Sequence, residues 1–147
     1  MNNGALGYES SSINLVTKAG TLRGELFRWD EAPEDLKDVK LRLEFQGEVI
    51  EARDSSGYFQ ALSELRKELE SRQILLACYG ASLNVYPSGM ISSMGLGEKA
   101  YKLHLGRPAL TQDLVIIFDD GPDVVPATVK DQLEFYNKWA KSIQNLR

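Results

Sequence analysis

Apolar side chains recur at every second position through Val39, Leu41, Leu43 and Phe45, with Lys40, Arg42 and Glu44 between them. A strand turns successive side chains to opposite faces, so this alternation predicts a half-buried antiparallel strand. Gln46-Gly47 is a tight-turn signal, and Glu48 to Arg53 is expected to return as the hairpin partner. Upstream, Thr21 to Trp29 alternates more loosely: Leu22 and Leu26 share a side with Arg28, opposed to Phe27 and Trp29, while Gly24 weakens the strand or marks a bulge. The acidic stretch Asp30 to Asp38, with Pro33 inside it, reads as a loop. Residues 1 to 12 are small and polar, and nothing in them offsets the entropy of ordering the chain. They are expected to be a flexible tail on a single domain spanning 13 to 147.

A different period follows. Phe59, Leu62, Leu65 and Leu69 recur at three and four residues, which predicts a helix over about 57 to 72, capped by Asp54, Ser55 or Ser56. Its opposite face holds Glu64, Lys67, Glu68 and Glu70 and needs only solvent. The continuous apolar run Ile74 to Tyr79 predicts a strand covered on both sides. Leu83, Val85 and Tyr86 form another short strand, and Tyr101, Leu103 and Leu105 alternate with Lys102 and His104 until Gly106. Thr111 to Phe118 is open to two readings, and a short helix is expected because Thr111 is a good cap with Asp113 in the first turn. Asp119 to Asp123 is a turn. Thr128-Val-Lys-Asp131 is a capping box opening a last helix to about Ile143, with Val129, Leu133, Tyr136, Ala140 and Ile143 inward. Phe135 and Trp139 lie beside that stripe, either widening it or forming an aromatic anchor for another chain. The order of elements predicts an α+β fold: an antiparallel sheet of about five or six strands with the two main helices packed on one face.

Composition narrows the function classes. With 147 residues the chain suits one domain, and at a net charge of -4 its lysines and arginines are scattered among carboxylates, so nucleic-acid binding is disfavoured. No apolar run is long enough to cross a membrane, and the amino terminus has neither a basic start nor an apolar run of signal-peptide length. A cytoplasmic protein without membrane attachment is expected. The single cysteine, Cys78, excludes an intramolecular disulfide and a cysteine-cage zinc site.

The candidate working surface is the long connection from Tyr86 to Tyr101, which carries three glycines, three serines and two methionines. Gly89, Gly95 and Gly97 with Ser88 and Lys99 invite a phosphate cradle, but Gly97-Glu98-Lys99-Ala100 leads into strand-like residues and Glu98 would repel a phosphate. Met90, Ile91, Met94 and Leu96 are adaptable apolar groups of the kind that repack against a partner. A Cys78 and His104 nucleophilic pair, oriented by Asp113 or Asp119, is opposed by the apolar setting of the cysteine and the polar face of the histidine. A lone histidine makes a poor zinc site, and Asp119, Asp120 and Asp123 lack the ligand spacing of a calcium loop. No metal, cofactor or catalytic set is therefore expected.

The residues singled out for binding are Ser88, Gly89, Met90, Met94, Gly95, Gly97, Lys99, His104 and Trp139. The function expected from them is a non-enzymatic protein-binding module, with homo-oligomerisation as a further use of its surface. In size, acidity and setting the chain is similar to bacterial toxin-immunity proteins as a class, without a shared motif. The alternative is a small-ligand-binding protein or enzyme that uses residues 87 to 99 as a lid, with Lys99, Tyr101 and His104 at the site.

Overall fold

In the computed structural model, which describes residues 2–3, 7–88 and 95–144, the alternating segments assemble into an α+β fold. The larger sheet is antiparallel and runs in the order β1 (Asn2–Asn3), β2 (Tyr8–Thr17), β3 (Gly20–Trp29), β4 (Val39–Phe45) and β5 (Glu48–Asp54). The predicted hairpin forms with Leu43 opposite Ile50 and Leu41 opposite Ala52. Gln46 and Gly47 turn it with φ of 49° and 76°, the two-residue turn whose twist matches the strands. A helix, α1 (Tyr58–Glu70), lays Phe59, Leu62, Leu65 and Leu69 in one buried cluster with Ile13, Leu15, Leu26, Leu41 and Leu43. Each such side chain contributes about 1.5–3 kcal/mol by leaving water.

Strand β2 corrects the expected tail, because residues 8 to 12 belong to it. It lies between β3 on one side and, on the other, β1 together with a short strand β6 (Leu75–Ala77). The ladder to β3 holds Ser10, Ser11 and Ser12 opposite Phe27, Leu26 and Glu25, which an apolar pattern could not reveal. The run from Ile74 is strand only over Leu75–Ala77, after which the chain enters a 3-10 turn at Tyr79–Ala81. There Tyr79 N–H donates to Asp119 O and Gly80 N–H to Ile117 O, which carries the chain away from the first sheet.

A second, three-stranded antiparallel sheet follows, formed by β7 (Val85–Tyr86), β8 (Lys99–Lys102) and β9 (Leu114–Ile116). Both readings of residues 111 to 118 are realised in sequence. Thr111–Asp113 makes one 3-10 turn, with Asp113 accepting from Leu110 N–H at 3.0 Å, and the β-branched residues then extend into β9.

The last helix, α2 (Val129–Ile143), starts where predicted, with Thr128 Oγ1 accepting from Asp131 N–H at 3.1 Å. It packs against β7 of the second sheet and against α1, whereas α1 lies on β4 and β5. The inward stripe of α2 is rotated: Leu133 is exposed and Gln132 is buried. Gln132 Nε2 lies 2.8–3.0 Å from the carbonyls of Gly80, Ser82 and Val85, and its Oε1 accepts from buried Arg66 at 2.6 Å. The irregular backbone beneath the helix leaves acceptors that only a polar side chain can satisfy. Among the described residues, no helix is long and apolar enough to cross a membrane.

Candidate functional site

Strand parity sets Leu22, Gly24 and Leu26 of β3 on the core side, and the next residue on that side is Arg28. On β2 the core-side series Leu15 and Ile13 gives way to Ser11 and Glu9. The register places Glu9 opposite Arg28 and Ser11 opposite Leu26, so the core side of both strands turns polar at one end. Arg28 donates to Ser11 Oγ and to Glu9 Oε2, each at 3.0 Å, and its guanidinium sits 4.7 Å from the centre of the Phe118 ring. Tyr58, the first residue of α1, donates its hydroxyl to Asp30 at 2.6 Å. With Glu98 and Ile116 these side chains line a cleft of about 200 Å³.

Three carboxylates, from Glu9, Asp30 and Glu98, share this cleft with one guanidinium. Burial, and then the hydrogen bond to Asp30, push ionisation of the Tyr58 phenol far above its ordinary range. Tyr58 is thus held as a hydrogen-bond donor and is a poor nucleophile or base. Among the described residues, no group of three histidine, cysteine, aspartate or glutamate side chains is placed to hold a metal ion. What the arrangement supplies is a polar slot with an aromatic wall.

The slot is bounded by the end of the long connection. Leu96 O accepts from Tyr58 N–H at 2.7 Å, satisfying one of the unpaired donors that open every helix. This carbonyl replaces the predicted side-chain cap, since Asp54 instead accepts from Ser56 N–H at 2.6 Å. Gly57, with φ of 124°, and Gly97, with φ of 82°, let the two backbones touch. A Cβ on Gly57 would come within 2.7 Å of Leu96 O, and one on Gly97 within 3.3 Å of Tyr58 N.

Of the residues singled out from sequence, Gly89, Met90 and Met94 lie outside the described residues. Gly95 and Gly97 belong to the segment against α1, and Gly97 is buried. Ser88 is half-buried before it, and Lys99 is exposed at the start of β8. His104 is exposed, with Nδ1 2.8 Å from Arg107, and does not line the cleft. Cys78 is wholly buried and its thiol is pushed up to about 11 by burial, so the Cys78 and His104 pair does not assemble. Trp139 gives its ring N–H to Arg107 O at 2.9 Å and lies beside Tyr136, which stacks on Tyr86. It is engaged within the chain. Asp123 accepts from Tyr79 at 2.6 Å and from Lys102 at 3.1 Å, which occupies the predicted acidic turn with internal bonds.

Sequence reasoning missed Glu9, Arg28, Asp30, Tyr58 and Glu98 as a group. One signal was present: Arg28 falls on the Leu22 and Leu26 side of the alternation, where packing favours an apolar residue. No family model and no curated protein matches this chain.

Proposed function

We propose that this chain is a non-enzymatic protein-binding module that receives a partner side chain in the cleft between β2, β3 and the start of α1. The observation that carries this reading is the run of polar residues, Glu9, Ser11 and Arg28, on core-side positions of strands that are elsewhere apolar on that side. Charged groups at such positions cost folding free energy, and proteins retain local departures of this kind at functional sites. The mouth supports a macromolecular partner: Ile116 lines it and Leu96 adjoins it, both partly exposed apolar groups around a polar interior. A cleft of about 200 Å³ is below the range of about 300–1,000 Å³ usual for drug-sized ligands and suits one inserted side chain.

A photo-activated cross-linking residue at Ile116 tests the reading, with the same residue at exposed Leu105, which belongs neither to the cleft nor to β5, as the control. The expected result is a discrete protein adduct from position 116 that is lost on Arg28→Ala, at an unchanged unfolding midpoint. Adducts of equal yield at both positions would refute it. The alternative of a small-ligand site draws support from the concave shape and from Glu98 on the connection that would act as a lid. A polar small molecule that raises the melting temperature of the wild type and not of Arg28→Ala would favour that alternative.

A further inference from the structure

Among the described residues, strand β5 is an edge of the large sheet, paired with β4 alone. The opposite flank differs, since β2 is covered there by β1 and β6. Edge strands invite pairing with another chain and are normally guarded by proline, lysine, a bulge or brevity. Over its seven residues, Glu-Val-Ile-Glu-Ala-Arg-Asp, β5 has no proline or lysine, and its register with β4 advances residue for residue without a bulge. A groove of about 450 Å³ runs beside it, bounded by Glu64 and Glu68 of α1 and by Arg72 just beyond the helix. The remaining guard is charge, carried by Glu48, Glu51, Arg53 and Asp54.

The turn determines which backbone groups are free. A two-residue hairpin makes its flanking residues, Phe45 and Glu48, a hydrogen-bonded pair, and such pairs alternate along an antiparallel ladder. Ile50, Ala52 and Asp54 therefore turn their N–H and C=O groups to β4, whereas Val49, Glu51 and Arg53 turn theirs away from the sheet. A second copy adding antiparallel about a two-fold axis must match these odd residues with one another. A pairing centred on Glu51 sets glutamate against glutamate, and one centred on Arg53 sets arginine against arginine. Centred on Ala52, the pairing sets Glu51 of each copy opposite Arg53 of the other, twice over, with Ala52 facing Ala52 at the closely spaced site. Both charged side chains reach solvent, with 42% and 41% exposure, although each has an ion-pair partner in its own chain, Lys40 at 3.5 Å and Asp38 at 3.6 Å.

We propose that the chain forms a two-fold homodimer through β5, with Glu51 and Arg53 setting the register. This surface is separate from the Arg28 and Tyr58 cleft, and its failure would leave the binding reading untouched. Sedimentation equilibrium of the full chain, from low micromolar to several hundred micromolar, reads the association directly. Glu51→Arg and Arg53→Glu, each alone, should weaken self-association about tenfold or more, because both cross-strand pairs become repulsive. An equimolar mixture of the two variants should recover it as a heterodimer. Glu51→Pro should abolish dimerisation while circular dichroism stays native, since the N–H it removes points away from β4. A wild type that stays monomeric throughout overturns the proposal, as does a dimer indifferent to the charge variants. A monomer that instead takes up an extended foreign peptide along residues 49–53 would also overturn it, by assigning the edge to another partner.

Discussion

Arg66 and Gln132 are 2% and 1% exposed, yet neither rests on a carboxylate. Arg66 donates to Gly80 O at 3.1 Å, Ala127 O at 2.9 Å and Gln132 Oε1 at 2.6 Å, and burial lowers its tendency to hold a proton. Carbonyl dipoles thus stand in for a counter-ion. Gln132→Leu would remove one bond from each of the Gly80, Ser82 and Val85 carbonyls and the Gln132 acceptor from a buried guanidinium, so a loss of about 2–3 kcal/mol is expected in denaturant unfolding. Leu43, wholly buried between Leu26 and Ile50, should cost about 2–5 kcal/mol on replacement by alanine. Its neighbour Arg42 pairs with Glu44 at 2.6 Å on the solvent side, and Arg42→Ala should cost about 1 kcal/mol or less. Equal losses for the two would contradict the register. The core side of β4 was legible because burial follows parity. Gln132 was not, because its burial depends on carbonyls brought to it from residues 80 to 85.

At the scale of elements, the start of α1 depends on a segment about forty residues away in the chain. Gly57→Ala would place a methyl group against Leu96 O at a φ that side chains rarely adopt. A loss of about 1–3 kcal/mol is expected, with faster amide exchange at Tyr58, whose N–H would lose its acceptor. Exchange unchanged at Tyr58 would show that the Leu96 bond does not cap the helix. The predicted caps at Asp54 to Ser56 failed for this reason: a local side chain and a distant carbonyl competed for the same donor, and chain topology favoured the carbonyl. α2 shows the opposite case, since its capping box is local and was readable from four residues.

For the whole molecule, the alkaline limb of stability reports on the cleft and the core together. Tyr58, Tyr79, Tyr86 and Cys78 all have ionisation raised in the folded state, Tyr58 and Cys78 chiefly by burial. A raised folded value means that the unfolded chain loses its proton first. The contribution of Tyr58 is therefore complete below its unfolded value of 10.0 and declines as pH rises beyond it. Stability should fall from about pH 9, where Cys78 of the unfolded chain ionises, and more steeply above about pH 10 as the tyrosines follow, by up to about 1.4 kcal/mol per pH unit for one such group. Tyr58→Phe should flatten that slope even though it removes the bond to Asp30. A slope unchanged by the substitution, measured by urea unfolding at several alkaline pH values, would place the titration elsewhere.

The sequence by itself determined the α+β class, the β4 and β5 hairpin and its turn, the cap of α2 and the buried stripe of α1. Each of these rests on neighbours within a few residues, where side-chain period and backbone preference act directly. Only the tertiary structure decided that Tyr8 to Ser12 is strand, that α2 turns Gln132 inward, and that Glu9, Arg28, Asp30, Tyr58, Glu98 and Phe118 surround one cleft. Those outcomes depend on hydrogen-bond partners and charges drawn from distant parts of the chain, and a periodic pattern carries no record of which distant groups will meet.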